Sequence, residues 1–388
     1  MKPKIRFKGF EGEWKIQNLS DHNFSIIAGG DVDKKLLQNN GKYPVIANAL
    51  TNDGILGYYM DSYKVDGPAV TVTGRGDIGV AIARHYSFTP VVRLLSIKSN
   101  HNVDFLANAI NCYKAVKEST GVPQLTTAKL QEYRILIPKN NAEEDAIASY
   151  FTSLDSQISA STSRLASLKQ MKAASLQAMF PQVGETVPKV RFKGFDGEWK
   201  KVMLEECLEI SKERNTNNEF GINEVLSVSD EEGVMNQIKL LGRSYAGKSV
   251  TNYKVLRTNQ VVYTKSPLKA KPYGIVKVNK GETGIVSVLY AVYDAKEGVN
   301  PYYIHYYFDP TFRINNYLLP LINKGAKNTM NISDEVSLQG DIMIPTNLSE
   351  QNKIVEYFQS LDHQITLQTQ RLEKLKQIKS ACLDKMFV

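Results

Sequence analysis

The chain has 388 residues, of which 42% are hydrophobic and 23% charged, which is typical of a globular protein with enough apolar material for two domains. Its net charge of +8 and pI near 9.0 permit an anionic partner such as nucleic acid. The sequence has no apolar run of roughly 18 residues, no apolar signal-peptide core, and no metal-like spacing among its cysteines and histidines. We therefore expect a cytoplasmic chain with no membrane span, disulfide scaffold or metal site.

Two motifs occur twice in the sequence. Residues 3–14 (PKIRFKGFEGEW) and 188–199 (PKVRFKGFDGEW) are identical at ten of twelve positions. Residues 147–158 (IASYFTSLDSQI) and 354–365 (IVEYFQSLDHQI) are identical at eight of twelve. The first pair is offset by 185 residues and the second by 207, so the second half is 22 residues longer between its motifs. We predict two copies of one α/β fold with constant ends and diverged middles.

The first half begins with a head over residues 1–139. Runs at Ala69–Thr73 and Val91–Ile97, broken by glycine, proline and asparagine, predict strands, and Val103–Val116 has a helical pattern. Residues 74–79 fit GxGxxG, but VAIARHY follows with the alternation of a strand rather than the helix of a dinucleotide site. The pattern favours either a plain hairpin or a DNA-contacting turn that carries Arg75.

A spacer helix is predicted over residues 140–181, where Asn140 and Glu143 have capping-box spacing and Pro181 ends the helix. The second half repeats this order. A linker and second head occupy residues 182–345, with strands predicted at Val261–Thr264 and Ile285–Val292 and a helix at Pro301–Phe308. A second spacer helix follows over residues 346–388, capped by Asn347 or by Ser349.

Apolar residues recur along both spacer helices in steps of four and three, as in a coiled coil. Each helix is the obvious partner for the other, and the path of the chain makes them antiparallel. We predict an α+β fold, with two similar α/β heads separated by the helix pair and related by an approximate two-fold axis. About 35–40 residues per helix give a rod of roughly 50–60 Å. The predicted helix-pair core is Ile147, Phe151, Leu154, Ile158, Leu165, Leu168, Ile354, Phe358, Leu361, Ile365, Leu372 and Leu375.

Extra apolar residues lie at the ends of both spacer helices and predict a protein interface there. These residues are Met171, Leu176, Met179, Phe180, Ile378, Leu383, Met386 and Phe387.

Two similar heads on a rod could read two half-sites on one face of DNA, which repeats every 34–36 Å or so. Because the heads differ, their half-sites should differ too. A two-headed coiled-coil adaptor that bridges proteins without binding DNA remains the alternative.

The order of parts resembles the specificity subunit of type I restriction–modification systems. The matching elements are Gly12–Trp14, Ile135–Pro138, Tyr150–Ile158 and Arg164–Lys169, and they recur as Gly197–Trp199, Ile342–Pro345, Tyr357–Ile365 and Arg371–Lys376. TGRGDIG (residues 73–79) is also similar to a loop common in the recognition domains of that family.

The resemblance implies a non-catalytic subunit whose two target-recognition domains each read half of a bipartite site in double-stranded DNA. It also implies that the helices set the spacing and dock two modification subunits that methylate adenine, and that restriction subunits can join them. S-adenosylmethionine, ATP and Mg are then expected on the partner subunits, and no cofactor on this chain.

Candidate DNA contacts are basic, amide, hydroxyl and aromatic residues, most of them in loops, where such side chains contact phosphates and base edges. In the first head they are Lys34, Lys35, Asn48, Asn52, Thr73 and Arg75. In the second head they are Arg243, Tyr245, Lys248, Lys265, Lys269, Lys271, Tyr273 and Lys327. A solvated surface remains the alternative for each.

Two short motifs imitate enzyme signatures without their supporting parts. Asn300–Tyr303 is similar to the Asn-Pro-Pro-Tyr motif of adenine methyltransferases but lacks the second proline and a glycine-rich cofactor loop. Glu13-x-Lys15 imitates a nuclease motif without its further acidic residue. We therefore predict no catalytic residues and no metal ligands.

Overall fold

The computed structural model describes residues 2–113, 124–265, 270–324 and 330–387. The chain folds as two compact units, the first made of Met1–Ser163 and Thr369–Val388 and the second of Arg164–Gln368. Both long helices contribute to both units, so the four-part division at residues 139, 181 and 345 stays a prediction. Within the described ranges, no helix combines the length and the hydropathy needed to cross a bilayer, and no three potential ligands cluster as a metal site.

The first head consists of short strands around one ten-residue helix. Its strands are β1 (Lys15–Asn18), β2 (Phe24–Ala28), β3 (Tyr43–Ile46), β4 (Ile55–Tyr59), β5 (Ala69–Thr73), β6 (Ala81–Arg84), β7 (Thr89–Pro90), β8 (Leu94–Ser99) and β9 (Arg134–Ile137). Its helices are α1 (Val103–Cys112) and the short α2 (Thr127–Gln131), and a 3-10 turn covers Thr51–Gly54. Helix α3 (Asn141–Ala178) follows β9 and runs on into the second unit.

A four-stranded antiparallel sheet with the order β2-β8-β5-β6 forms the centre of this head. Strand β5 reads AVTVT and is buried at all five positions, because β-branched residues suit a strand covered on both faces. A three-stranded sheet (β4-β3-β7) and the ribbon β1-β9 complete the head. Helix α1 begins at the N-cap Asn102, whose side chain accepts hydrogen bonds from two amides of the first turn.

The second head has more and shorter elements. Its strands are β10 (Lys200–Met203), β11 (Leu208–Ile210), β12 (Leu226–Ser229), β13 (Gly233–Asn236), β14 (Lys254–Leu256), β15 (Val261–Thr264), β16 (Val276–Val278), β17 (Gly284–Val286), β18 (Tyr290–Ala295), β19 (Asn323–Lys324), β20 (Met330–Asn331) and β21 (Asp341–Ile344). Its helices are α4 (Leu204–Cys207), α5 (Gln237–Leu241), α6 (Pro301–Phe308) and α7 (Thr311–Leu318), and 3-10 turns cover Ile222–Glu224 and Val336–Leu338. Helix α8 (Leu348–Met386) follows β21.

Both heads have the same central topology. The sheet β11-β18-β15-β16 has the order of β2-β8-β5-β6, and the ribbon β10-β21 corresponds to β1-β9. Helix α6 follows β18 just as α1 follows β8. The prediction that one α/β fold occurs twice is therefore confirmed at the level of strand order. Both four-stranded sheets are antiparallel.

The ends of the long helices are part of the head cores. In the first unit, Phe387 packs against Phe105, Phe151 and Trp14, with ring centroids 5.3, 6.2 and 6.1 Å away. In the second unit, the fully buried Phe180 lies 6.0 Å from Phe358. The prediction of a protein interface at these ends is wrong for four residues, which are buried in the cores: Leu176, Met179, Phe180 and Met386.

Three predicted elements need correction. The run Val91–Ile97 is a strand only from Leu94, because residues 91–93 form a turn. The run Ile285–Val292 is two strands, β17 and β18, separated by a turn at residues 287–289. Helix α1 ends at Cys112, since Tyr113 is extended, and residues 114–116 lie outside the described ranges.

Candidate nucleic-acid interface

The hairpin between β5 and β6 carries Arg75 at its exposed tip. The buried Thr73 hydroxyl donates a hydrogen bond to the Asp77 carbonyl and accepts one from the Val80 amide at 3.0 Å. Gly76 has φ +75°, which a residue without a β-carbon adopts at no steric cost. The GxGxxG spacing therefore serves a tight hairpin, and Thr73 is removed from the proposed DNA contacts because its side chain is occupied within the turn.

The Asn48 side chain links this hairpin to a neighbouring turn at residues 91–93. Its oxygen accepts from the Gly74 amide at 2.9 Å, and its nitrogen donates to the Val92 carbonyl at 3.1 Å. A β-carbon on Gly74 would lie 2.2 Å from the Arg93 carbonyl oxygen, so the two backbones pack directly together. Asn48 thus positions both turns, which leaves its amide engaged rather than free to read a base.

The remaining candidates of the first head are exposed. Lys34 and Lys35 lie in the loop before β3, and within the described residues neither forms an ion pair. Asn52 is exposed in a turn with φ +49°, and its amide donates to a backbone carbonyl of the same turn at 3.3 Å.

An exposed cation beside the Arg75 hairpin was not among the predicted DNA contacts. Arg93 lies directly beside the Gly74–Arg75 hairpin, in the turn that precedes β8. The residues VVRLLSI are consistent with one continuous strand, and no local signal in them marks the turn. A basic residue inside an apolar run was the only available hint.

Two candidates in the second head stack on each other at the surface. The Arg243 guanidinium lies 4.6 Å from the centre of the Tyr245 ring, and Tyr245 is 60% exposed. They follow α5, whose C-terminal cap is Gly242 in the left-handed conformation. Lys248 is also exposed. A guanidinium on an aromatic face with both groups open to solvent is suited to phosphate or base stacking.

The described cations of the basic run at residues 265–273 are engaged in contacts within the second head. Lys265 pairs with Asp334 at 2.7 Å. Lys271 is only 9% exposed and donates to the Asp309 carbonyl at 2.9 Å, so we remove it from the proposed contacts. Tyr273 is half-buried, and its carbonyl accepts the Tyr263 hydroxyl at 2.9 Å. Lys269 and Lys327 lie outside the described residues.

A buried carboxylate anchors each head to its long helix. Glu143 in the first turn of α3 accepts from Arg6 Nε and Nη2, both at 2.7 Å, and from Trp14 Nε1 at 3.2 Å. Glu350 in α8 does the same with Arg191 and Trp199, at 2.7, 2.8 and 3.3 Å. Both carboxylates are at most 2% exposed.

These anchors correct the capping-box interpretation of Glu143 and Glu350. Asn140 and Asn347 do cap their helices. The side-chain oxygen of each accepts a hydrogen bond from the main-chain amide two residues further on. The glutamates instead hold the repeated RFKGFxGEW segment.

A second tie between head and helix is also duplicated. The amide nitrogen of the Asn102 side chain donates to Asp145 in α3 at 2.8 Å. The Asn300 side chain donates to Asn352 in α8 at the same distance. Asn300 caps α6 and Pro301 is its first residue, so the Asn-Pro-Tyr-Tyr motif is a helix start.

The two long helices contact each other within each unit. In the first unit, Asp155 of α3 pairs with Lys379 of α8 at 2.5 Å. In the second unit, Lys172 of α3 pairs with Asp362 of α8 at 2.8 Å. The repeat offset of 207 residues relates Asp155 to Asp362 and Lys172 to Lys379. The two ion pairs are therefore the same contact, with the aspartate on α3 in one unit and on α8 in the other.

A second pair of cross-helix contacts follows the same rule. Tyr150 and Cys382 are in contact in the first unit, with their side-chain oxygen and sulfur atoms 3.5 Å apart. Tyr357 and Ser175 hydrogen bond in the second unit at 2.9 Å. The early part of each helix therefore contacts the late part of the other.

All twelve residues of the predicted helix-pair core are at least half-buried. Eight are fully buried, namely Ile147, Phe151, Leu154, Leu168, Ile354, Phe358, Leu361 and Leu372. The other four, Ile158, Leu165, Ile365 and Leu375, are partly exposed. Two polar residues that lie between these apolar positions, Ser161 and Gln368, are buried as well, at 5% and 8% exposure.

A charged cluster lies where the second head meets the helices of its unit. Lys172 bridges Asp309 at 3.2 Å and Asp362 at 2.8 Å. Burial alone would lower the pKa of Lys172, but the two carboxylates raise it above its ordinary value. Beside them, burial together with the charge of Lys277 lowers the pKa of His305 to about 3, so this imidazole is neutral at pH 7.

Comparison with known proteins identifies the class. The family model of the type I restriction modification DNA specificity domain matches residues 11–170. The Mycoplasma pneumoniae type I specificity subunit S.MpnORF289P C-terminus is 30% identical over 105 residues, which cover 25% of this chain and 72% of that protein. The chain thus belongs to the family of type I restriction–modification specificity subunits.

Longer relatives match over a smaller share of their length. S.MpnORF507P of Mycoplasma pneumoniae is 30% identical over 141 residues, which cover 35% of this chain and 39% of that protein. S.MpnORF89P of the same organism is 26% identical over 167 residues, covering 40% and 50%. The matches span half or less of the length of these two relatives.

The crystal structure of the type I restriction–modification system S subunit from M. genitalium has a similar fold. It matches with a TM-score of 0.65 at 13% identity, over 100% of this chain and 99% of that one. The fold is therefore that of known S subunits.

Proposed function

We propose that the chain is the DNA sequence-specificity subunit of a type I restriction–modification complex and is itself non-catalytic. Each head is a target-recognition domain that reads one half of a bipartite, asymmetric site in double-stranded DNA. Family membership supports this role, and the difference between the exposed loops of the two heads supports unequal half-sites. Exposed Arg75, Lys34 and Lys35 in one head, and Arg243 with Lys248 in the other, supply the cations that DNA phosphates require.

The duplicated joint between head and helix is the single observation that carries the proposal. The same buried Arg–Glu–Trp contact fixes each head to a long helix, with distances that agree within 0.1 Å. A flexible tether needs no buried, bidentate ion pair, whereas a reader that must present its loops at a defined place does. Both heads are therefore built to be held in fixed orientation on their helices.

The helix pair is proposed to act as the ruler, as an antiparallel coiled coil between the recognition domains with approximate two-fold symmetry. The exchange-related contacts Asp155–Lys379 and Lys172–Asp362 support antiparallel pairing. Thirty-eight residues in α3 give a length of about 57 Å, which exceeds one turn of B-DNA, about 34–36 Å. The pair is therefore long enough to skip a stretch of unread base pairs.

We further propose that two adenine-modification subunits dock on this chain, that restriction subunits can join them, and that the complex acts in the cytoplasm. S-adenosylmethionine, ATP and Mg belong to those partners in this proposal.

The ruler is tested by inserting one heptad into both helices, after Ser163 in α3 and after Thr369 in α8. Seven residues add about 10 Å, or roughly three base pairs at 3.4 Å each. Methylated adenines are mapped in cells that carry the partner genes and either the parent or the altered chain. We expect the spacer of the methylated site to grow by about three base pairs, with both half-sites unchanged.

Insertion into α3 alone is the matched control, and it should abolish methylation because the helix contacts fall out of register. A changed half-site with an unchanged spacer would contradict the ruler. Duplex binding should also fall steeply with salt. No duplex binding even with the modification subunits present would favour the adaptor alternative.

A further inference from the structure

We infer that the turn that precedes β8 in the first head, and the turn that precedes β18 in the second, determine sequence specificity. The residues that do so are Arg93 and Leu289. Arg93 reads a guanine in one half-site, and Leu289 contacts a thymine methyl group in the other. This inference rests on the proposed function and names, for that function, one reading residue in each head.

A turn closed by the same backbone hydrogen bond precedes this strand in both heads, although only the first has a residue with positive φ, Arg93. The Leu94 amide donates to the Val91 carbonyl at 3.0 Å, and the Tyr290 amide donates to the Ser287 carbonyl at 3.0 Å. Leu94 and Tyr290 each open the strand that follows, β8 and β18, which pair with β5 and β15. Position 93 of the first head therefore corresponds to position 289 of the second.

The backbone of Arg93 has a left-handed conformation, which is uncommon for arginine. Its φ is +70°, and every other positive-φ residue in the described ranges is glycine, asparagine or aspartate. A side chain with a β-carbon is strained there, and non-glycine residues retained in such positions cluster at functional sites. Arg93 is exposed and, within the described ranges, forms no ion pair that would explain an arginine. No ion pair with the described residues therefore competes with an external partner for this guanidinium.

The turn is also rigidly supported, as a base-reading group must be. Asn48 bonds both to Val92 and to Gly74, and the Gly74 backbone packs on the Arg93 carbonyl. On the other side, a β-carbon on Gly29 would lie 2.0 Å from the Val91 carbonyl oxygen. This packing places the turn directly beside the hairpin that carries Arg75, a second exposed guanidinium.

At the two central positions of the turn, one side chain is the same in both heads and the other differs in chemistry. Val92 and Val288 are equivalent and equally exposed, at 47% and 46%. The next residue is Arg93 in one head and Leu289, 60% exposed, in the other. Arginine donates two hydrogen bonds to guanine O6 and N7, whereas an apolar side chain suits the thymine methyl. A turn at the same place in both heads, with a different exposed side chain, is what two readers of different half-sites require.

The test uses the full chain assembled with its modification subunits and a randomised DNA library, with sequencing of methylated products. Arg93→Gly relieves the backbone strain, so its Tm should not fall, and selectivity at one base pair of one half-site should drop roughly 10- to 100-fold. Leu289→Arg should change the preferred base in the other half-site only. Arg134→Leu, on an exposed position of β9, is the control and should leave both half-sites unchanged.

Each remaining outcome is decisive. A uniform loss of methylation on all sequences would mean that Arg93 contacts a phosphate, which would overturn the specificity role. A lower Tm for Arg93→Gly would mean that the arginine is structural. A bipartite site that neither Arg93→Gly nor Leu289→Arg changes would refute this inference alone. The absence of any bipartite site with the parent chain would instead refute the proposed function.

Discussion

Replacement of Glu350 by glutamine removes the charge from the anchor between the second head and α8. Arg191 then keeps its hydrogen bonds to the carbonyls of Gly197 and Asp196, at 2.6 and 2.8 Å, but loses its bidentate carboxylate. Breaking a buried ion pair from one side costs about 3–5 kcal/mol. The two retained carbonyl contacts place the expected cost at the lower end, about 3 kcal/mol. For a unit of this size that corresponds to a fall in Tm of about 6–12 °C.

The assay is urea unfolding with pulsed hydrogen–deuterium exchange, in which peptides from each unit report the midpoint of that unit. Glu143→Gln provides an internal replicate, because the contacts of Glu143 in the first unit have the same geometry. The free energy of unfolding of the first unit should fall by a similar amount. Glu356→Gln is the control, since Glu356 is 66% exposed in an i,i+3 pair and such pairs contribute under about 0.5 kcal/mol. Losses below that value at both anchors would refute the argument that these pairs fix the heads.

Two further outcomes follow from single side chains. Arg75→Ala should weaken recognition of the first half-site alone with little change in Tm, since Arg75 is exposed; adenine mapping and a melting curve check this, and an unfolded head would mean that the residue is structural. His305 titrates near 3 when folded and near 6.5 when unfolded, so its contribution to stability is present above pH 6.5 and is lost as pH falls toward 3. Between pH 7 and pH 5 the parent chain should therefore lose about 2 kcal/mol more than His305→Gln in urea unfolding of the second unit, and equal losses would refute a buried neutral imidazole.

Local periodicity was enough to predict the long helices, because heptad spacing and caps act within a few residues. The sequence predicted helices from residues 140 and 346, and the structure has Asn141–Ala178 and Leu348–Met386. The capping-box interpretation failed because the partner of Glu143 is Arg6, which lies 137 residues away. A spacing of three residues cannot reveal a competitor at that distance.

The candidate contacts were predicted less well than the fold, for the same reason. Lys271 lies in the densest basic run of the second head, yet Asp230 and Asp309 approach it from distant segments and enclose it. Arg93 was missed because its importance depends on a backbone angle and on the packing of Gly74. Charge along the sequence therefore predicted a cationic surface, while burial and tertiary contacts determine which cations belong to it.

Backbone contacts at the ends of the long helices explain why the repeated segments are alike in the two halves of the chain. The Val190 amide bonds to the Ala178 carbonyl at the end of α3, and the Ile5 amide bonds to the Lys385 carbonyl at the end of α8. In the second unit the helix end and the repeated segment are neighbours in sequence, whereas in the first unit they come from opposite ends of the chain. Each head is thus completed by the end of one long helix and anchored to the start of the other. Because packing on both helices determines how a head is held, substitutions in its exposed loops can alter recognition without disturbing the joint, which accounts for constant ends beside diverged middles.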